Sequence, residues 1–372
     1  MSPADEILDG TSPHDSAENV RTRRLGAHLP LARGMRRAVD RAVAIGAEAL
    51  QIFSDNPTAW RRRSEPSPEL AEFRARLAAR DIQPIAIHAS YLVNLPGPDE
   101  VTYVRSVGML AGELARACEH GASLVNVHIG LHRGSGVDVG IARLVDGIAA
   151  ALASAREQAV EPGDRLARLV LENSAGGGGG LGTTVDELAT IADRLANRGI
   201  GEDAIGFCLD TAHAWGAGVD MADPDAIDAF LTAFDRRIGV DRIVLLHLND
   251  TRSERGSRTD RHEHLGAGRI GPVGLGHVIR HPLLAHAPAI IETPGMDVGY
   301  DRVNLARARA LLHGKQLRPL PRAAFDLAGS ARGRGATRVR RATRERGAAP
   351  PRGAARDRDD ATGHADGRAS TR

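Results

Sequence analysis

Short apolar runs that end in a polar residue alternate along the chain with longer segments whose apolar residues recur at helical spacing. The short runs fall at 24–28, 49–53, 84–88, 124–128, 169–172, 204–210, 242–248 and 289–292. Nearly continuous apolar runs of this length are what a strand buried on both faces requires. Between them, stretches such as 35–45, 68–79 and 101–119 gather their apolar residues on one helical face. Strands and helices in strict alternation predict βα units and a parallel sheet. Eight such units in about 290 residues predict an α/β fold, the (β/α)8 TIM barrel.

The pattern stops after Lys315. Residues 316–372 are rich in Arg, Ala, Gly and Pro without apolar periodicity, so a disordered tail is expected there. Residues 1–22 form a polar, acidic leader without the apolar core of a signal peptide, also expected to be disordered. That leaves 23–315 as one barrel domain, expected to act as a monomer. No stretch approaches the ~18 unbroken apolar residues of a membrane span, so no membrane partner is expected.

Composition alters this picture in two ways. The formal charge of +2 hides an asymmetry, because 316–372 holds 14 Arg against 6 Asp and Glu, a net +8. The body is therefore acidic, near −6, and the basic tail reads either as an accessory extension with no role in the reaction or as a tether that neutralises phosphates along DNA. Cys118 and Cys208 are the only cysteines, too few for a disulfide framework, which points to a reducing cytoplasm. Any metal must then be held by histidine and carboxylate.

Those residues fall at telling places. Strands three to eight end in or beside His88, His128, Glu172, Asp210, His247 and Glu292, separated by 40, 44, 38, 37 and 45 residues. Each gap is about one βα unit, so all six side chains would converge on the C-terminal mouth, where TIM-barrel active sites lie. The adjoining loops add His213, Asp260 and His262. One polar strand end is ordinarily a satisfied hydrogen-bonding group, but six in succession describe a centre. Five histidines and four carboxylates suit two or three cations. Mixed nitrogen and oxygen ligation favours zinc over magnesium or calcium. Three divalent ions against four carboxylates would leave the site near +2, attractive to a phosphodiester despite the acidic body. The chemistry implied is metal-assisted hydrolysis.

At these residues the sequence resembles the endonuclease IV family of apurinic/apyrimidinic endonucleases. The resemblance rests on Gly26-Ala-His28, His88-Ala-Ser-Tyr-Leu-Val-Asn-Leu95, Asn126-Val-His-Ile-Gly130 and Leu171-Glu-Asn-Ser-Ala-Gly176. It continues through Leu209-Asp-Thr-Ala-His213, His247-Leu-Asn-Asp250, Asp260-Arg-His262 with Leu265-Gly, and Ile291-Glu-Thr-Pro294. It implies a trinuclear zinc site in which His88, His128 and Glu172 hold one ion. Glu172 bridges to a second held also by Asp210, His247 and Glu292, which makes it the central catalytic residue. His213, Asp260 and His262 hold the third.

The reaction implied is hydrolysis of the phosphodiester 5′ to an abasic site in double-stranded DNA, leaving a 3′-hydroxyl. The resemblance also implies two DNA-handling loops, one with Asn56, Trp60 and Arg61 within a run of three arginines, the other with Tyr91 and Leu92. Wedging side chains from such loops open the base stack around a flipped nucleotide. Thr58 and Ala89 stand where some relatives carry Arg and Asp. His28 is expected to face the pocket without ligating, and the glycine run 176–180 to be a plain flexible loop. The competing reading is a sugar isomerase or epimerase on the same barrel, which needs one or two ions and has no use for the third ligand set.

Overall fold

The computed structural model describes residues 23–63, 65–158 and 166–327. All eight expected strands form: β1 (Leu25–His28), β2 (Ala49–Ile52), β3 (Ile85–His88), β4 (Leu124–His128), β5 (Arg168–Glu172), β6 (Ile205–Asp210) and β7 (Ile243–His247). After two short strands, β8 (Asp250–Thr251) and β9 (His262–Glu263), comes the last barrel strand, β10 (Ala289–Ile291). The eight long-range partners close a parallel barrel in the order β1-β10-β7-β6-β5-β4-β3-β2. The expected TIM barrel is thus present, and its chain direction sends every strand's C-terminal end to the same mouth.

Helices α1 (Met35–Ile45), α2 (Leu70–Ala79), α3 (Glu100–Arg116), α4 (Val137–Gln158), α5 (Val185–Ala196), α6 (Thr211–Ala217), α7 (Pro224–Arg237), α8 (Gly271–Arg280) and α9 (Tyr300–Leu312) follow the strands. Their starts are written locally. Asp99 accepts from Thr102 N at 2.7 Å at the head of α3, Thr184 caps α5, and Asp223 caps α7 before Pro224. Period-2 alternation then sorts the strand residues. Ile87, Val125, Val127, Leu171, Phe207 and Leu209 point outward into the core shared with the helices. Ala49, Ala86, Val170, Cys208, Leu245 and Ile290 form a second, inner cluster that fills the barrel.

The barrel unit extends to Ala324. Residues 316–324 therefore do not begin the disordered tail expected from 316 onward. Leu317 packs against the outer core, Arg307 donates to Arg318 O at 2.6 Å, and His264 Nε2 lies 2.9 Å from Ala324 O. Periodicity missed this segment because it is held by single contacts rather than by a repeating face. The expectations for 1–22 and 328–372 lie outside the described residues. Among the described residues, no helix is long and apolar enough to cross a membrane.

One buried carboxylate ties the barrel to the loops above it. Asp250 is fully buried and accepts N–H groups from Thr251 at 2.8 Å, Gly268 at 2.9 Å and Ile270 at 3.1 Å. It thereby fastens the start of α8 to the β8–β9 ribbon that carries His262. Burial pushes its carboxyl up, and the backbone N–H groups of Gly268, Thr251 and Ile270 oppose that shift. Asp250→Ala strands several buried donors at once, so it should lower unfolding free energy by about 2–4 kcal/mol. A urea midpoint within error of wild type would show that water replaces the carboxylate.

Candidate metal centre

The inner cluster gives way to polar residues at the barrel mouth by simple alternation. Two residues beyond Ala86, Val170, Cys208, Leu245 and Ile290, and so on the same face, stand His88, Glu172, Asp210, His247 and Glu292. In β7 this outcome needs a register shift. Phe207 pairs with Ile243, but Cys208 pairs with Leu245, so Val244 is skipped and Asp210 comes opposite His247. Without the skipped residue His247 would face the helices, an example of a bulge re-aiming a side chain.

The structure brings all nine candidate ligands together. Glu172 Oε2 lies 3.6 Å from His88 Nε2 and 3.5 Å from His128 Nε2. Its other oxygen lies 3.3 Å from His247 Nδ1 and 3.1 Å from His213 Nδ1. His247 Nδ1 is also 3.3 Å from Glu292 Oε2 and 3.8 Å from Asp210 Oδ2. Asp260 offers one oxygen to His213 Nε2 at 3.4 Å and the other to His262 Nε2 at 3.0 Å. Asp210 adds itself to this last group, 3.8 Å from His262 Nε2, and so stands between two of the sets.

These separations suit shared cations better than direct hydrogen bonds. Ligands ~2.1 Å from one tetrahedral zinc stand roughly 3.4 Å apart, whereas charged N–H···O bonds close to ~2.8 Å. His262 Nε2 is buried without a hydrogen-bond partner, although it faces two carboxylates. Three compact sets result: His88, His128 and Glu172; Asp210, His247 and Glu292; Asp210, His213 and His262. The donor set fits transition-metal dications.

Fixed acceptors choose which ring nitrogen faces the centre. Backbone carbonyls can only accept, so Nδ1 of His88, His213 and His262 must donate to Ala89, Asn173 and Glu292 O, at 2.8, 2.9 and 2.8 Å. Each Nε2 is left with its lone pair inward. His247 is reversed. Gln51 donates Nε2 to Glu292 Oε1 at 2.8 Å, which turns its Oε1 toward His247 Nε2 at 2.9 Å and leaves His247 Nδ1 free for the carboxylates. Asn249 donates to Asp210 Oδ2 at 2.7 Å and Asn126 to Glu172 Oε2 at 2.6 Å. Asp210 Oδ1 caps α6 through His213 N at 2.8 Å, keeping its other oxygen for the centre. His28 stands beside Glu292 Oε1 at 3.0 Å, facing the site as expected.

Gln51, Asn126, Asn173 and Asn249 did not emerge from the sequence as site residues. A usable signal existed, since Asn126 and Asn249 lie two positions from His128 and His247 and so share their face. Cys208 lies under Glu172 and His247, but burial pushes its thiol up to about 12, and it stays part of the apolar filling.

Charge explains the arrangement. Burial drives imidazoles down and carboxyls up, and the mutual attraction reverses both trends at every ligand except His128 and Asp210, where desolvation wins and the Asp210 carboxyl is held above its usual range. His213 and His247 are held well above the ordinary imidazole range by Asp210 in one case and by Cys208, Glu292 and Glu172 in the other. His262 rises to about 9 against desolvation because of Asp260. Glu172 is drawn well below the carboxylate range, its burial outweighed by His247 and His128. Of the five candidate ligand imidazoles only His128, dominated by desolvation, falls, to about 4. The site binds positive charge strongly, and protons compete with metal for it.

A cavity of about 520 Å3 opens beside the centre, lined by Trp60, Tyr91, Leu92, Arg133, Glu172 and Arg258 among others. Tyr91 is 56% exposed and rests its ring on Phe53, His88 and His128, with centroids 5.1, 5.6 and 6.1 Å away. Leu92 is half-buried, and Trp60 packs on the outer core with Arg105 over its ring at 5.9 Å. Asn56 is exposed and accepts from Thr58 N at 3.0 Å, shaping its own turn.

The arginine run divides. Arg62 pairs with Glu113 at 2.7 Å and donates to Ser54 at 2.9 Å, so it pins the loop to α3 rather than facing DNA. Arg63 stands 3.8 Å from Asp55, and Arg61 is exposed without an ion-pair partner among the described residues. The glycine run is not a plain flexible loop. A Cβ at Gly177 would stand 2.6 Å from Arg258 O, and one at Gly179 2.9 Å from His132 Nε2, so bare backbone is needed where three loops meet.

A parallel barrel with a histidine-carboxylate centre at its mouth defines the class. The chain matches the family of xylose isomerase-like TIM barrels over residues 39–315. It is 39% identical over 287 residues to a probable endonuclease 4 from Methanoculleus marisnigri, covering 77% of this chain and 98% of that one. A probable endonuclease 4 from Chloroflexus aggregans is 36% identical over 290 residues, covering 78% and 98%. The crystal structure of endonuclease IV from Thermus thermophilus superposes with a TM-score of 0.67 at 38% identity, covering 78% of this chain and 99% of that one. The chain belongs to the endonuclease IV family.

Gln51 gives the sharpest test of how the ligands are oriented. Gln51→Ala removes the acceptor on His247 Nε2 and the donor on Glu292, so metal affinity should fall about 10–100-fold. Chelator competition followed by elemental analysis reads this directly. Unchanged retention would mean that packing alone orients His247.

Proposed function

We propose that the chain is a zinc-dependent DNA-repair endonuclease that hydrolyses the phosphodiester 5′ to abasic sites in duplex DNA and leaves a 3′-hydroxyl. The observation that carries this is the convergence of nine ligand side chains in three sets at one barrel mouth. His88, His128 and Glu172 would hold one ion, Glu172, Asp210, His247 and Glu292 a second, and His213, Asp260 and His262 a third. Five imidazoles in the donor set favour zinc. Dications held there supply Lewis acidity toward a phosphodiester and toward attacking water.

The protein's own groups do the positioning. Glu172 gives one oxygen to each of two ligand sets, and its lone pairs are aimed by Asn126. Tyr91, Leu92 and Trp60, which line the cavity, with Asn56 and Arg61 from the loop that carries Trp60, would hold the duplex open around the abasic sugar. Arg133 and Arg258 line the same cavity with positive φ of 46° and 55°. Neither has an ion-pair partner among the described residues, and both would grip the phosphates flanking the lesion. Left-handed backbone at a non-glycine residue costs energy and is retained where function needs the side chain so placed. A sugar isomerase has no use for the Asp260 and His262 set. The enzyme would work as a monomer in a reducing cytoplasm.

The assay is a labelled duplex with one tetrahydrofuran abasic analogue, incubated with metal-analysed protein with and without chelator. Nicking on the 5′ side of the analogue, lost with chelator and restored by zinc, is expected. Glu172→Gln should lower turnover by more than about 100-fold, beyond the loss usual for an outer partner of a metal site. Near-normal turnover and metal content in that variant would sink the bridging assignment.

The DNA side has its own test. Tyr91→Ala, and separately the pair Arg133→Ala with Arg258→Ala, should weaken binding to abasic duplex while metal content holds. The arginine pair should also flatten the salt dependence, by about 0.9 in the log-log slope for each lost phosphate contact. Metal lost together with affinity would instead mark these residues as structural.

A further inference from the structure

A second constellation of metal-ligating side chains lies on the outer wall, between α7 and α8, away from the barrel mouth. His277 lies in α8 and His281 follows its last turn, four residues on. That spacing places two side chains on one helical face. Asp228 faces them from α7. Its Oδ1 is 2.5 Å from His277 Nε2 and 3.2 Å from His281 Nε2. The rings stand at 74° with centroids 5.4 Å apart, and the three ligating atoms all lie within 4.8 Å of one another.

We propose that Asp228, His277 and His281 form a surface site for a transition-metal dication that cross-links α7 to α8. A single carboxylate oxygen needs only one imidazole to make an ion pair, yet here two Nε2 atoms point at it. Three protein ligands with water completing the shell is a common zinc arrangement. Two nitrogens and one oxygen favour zinc, nickel or copper(II) over magnesium or calcium. The 3.2 Å contact is already close to the roughly 3.4 Å between neighbouring ligands of a tetrahedral ion. The 2.5 Å contact must widen, and Asp228 is free to do so, since 52% of its side chain is exposed.

Two features hold the affinity below that of the catalytic centre. Coordination through His281 Nε2 puts the ring proton on Nδ1, which gives up the long 3.3 Å contact from Leu283 N. The buried Arg23 also opposes further positive charge near His281. The site is therefore a clamp filled when free metal rises. It joins α7 to the same helix whose start Asp250 fastens near the β8–β9 ribbon.

The test titrates zinc into full-length protein that already carries its resident metal, with calorimetry and thermal unfolding read in parallel. Wild type should take up one further equivalent, and its melting temperature should rise with added zinc, as any ligand of the folded state requires. His277→Gln and Asp228→Asn, both at partly exposed positions, should each lose that equivalent and the thermal response. Their resident metal and DNA nicking should stay unchanged. His281→Gln should behave alike if it folds, and the other two variants decide the matter if it does not. Absence of an extra equivalent in wild type, or its persistence in His277→Gln and Asp228→Asn, would overturn the proposal.

Discussion

Four carboxylates, Glu172, Asp210, Asp260 and Glu292, gather at one end of a barrel whose interior is otherwise apolar. An unpaired carboxylate in such surroundings is costly, and four together repel one another. The molecule answers with five imidazoles, which the same carboxylates draw toward protonation at His213, His247 and His262. Protons are a provisional answer, because each one occupies a lone pair that a dication would use. The separations of 3.3–3.8 Å between most histidine nitrogens and their carboxylate oxygens suit the larger ion. Nearly every other feature of the mouth serves to keep those nine groups at that spacing.

Alternation along the strands is what confines the charge to the mouth. Five of the six ligand-bearing strands place a small or apolar residue toward the axis two positions before the polar one. In β4 that position is Asn126, whose amide is used up on Glu172, so the floor stays apolar while the rim is charged. This makes the register of each strand a chemical matter. A one-residue slip in β7 would turn His247 out toward the helices, and the skipped Val244 prevents it. The inner floor, including Cys208 with its protonated thiol, excludes water beneath the ligands and strengthens every interaction above it.

Much of this was legible in the sequence because it repeats. One ligand per strand, at the spacing of one βα unit, is a pattern that local propensity and polarity reveal together. Features that do not repeat stayed hidden. Gln51 and Asn249 look like ordinary polar residues, and only three-dimensional contact shows that they fix the nitrogen His247 offers and the oxygens of Asp210 and Glu292. Arg62 reads as part of a DNA-facing cluster until Glu113, 51 residues away, is seen to hold it. The glycine run reads as flexible because composition cannot show that Arg258 and His132 press against its backbone. Residues 316–324 lack periodicity, yet two backbone carbonyls and one leucine suffice to lay them on the barrel.

The cavity-lining residues are not separable from the centre. Tyr91 follows His88 by three residues and rests on the rings of His88 and His128, while Arg258 precedes Asp260 by two. A side chain that moves to admit a ligand into the cavity therefore moves against His128 and against His88, whose Nδ1 is anchored to Ala89 O. The carbonyls holding His88, His213 and His262 belong to Ala89, Asn173 and Glu292, at the ends of three different strands. Displacing a ligand ring thus means bending the barrel rim or breaking a buried hydrogen bond, at a cost of about 1–3 kcal/mol each. The loops are left to yield first, which lets the mouth accommodate a bulky polymer while the spacing of the nine groups is preserved.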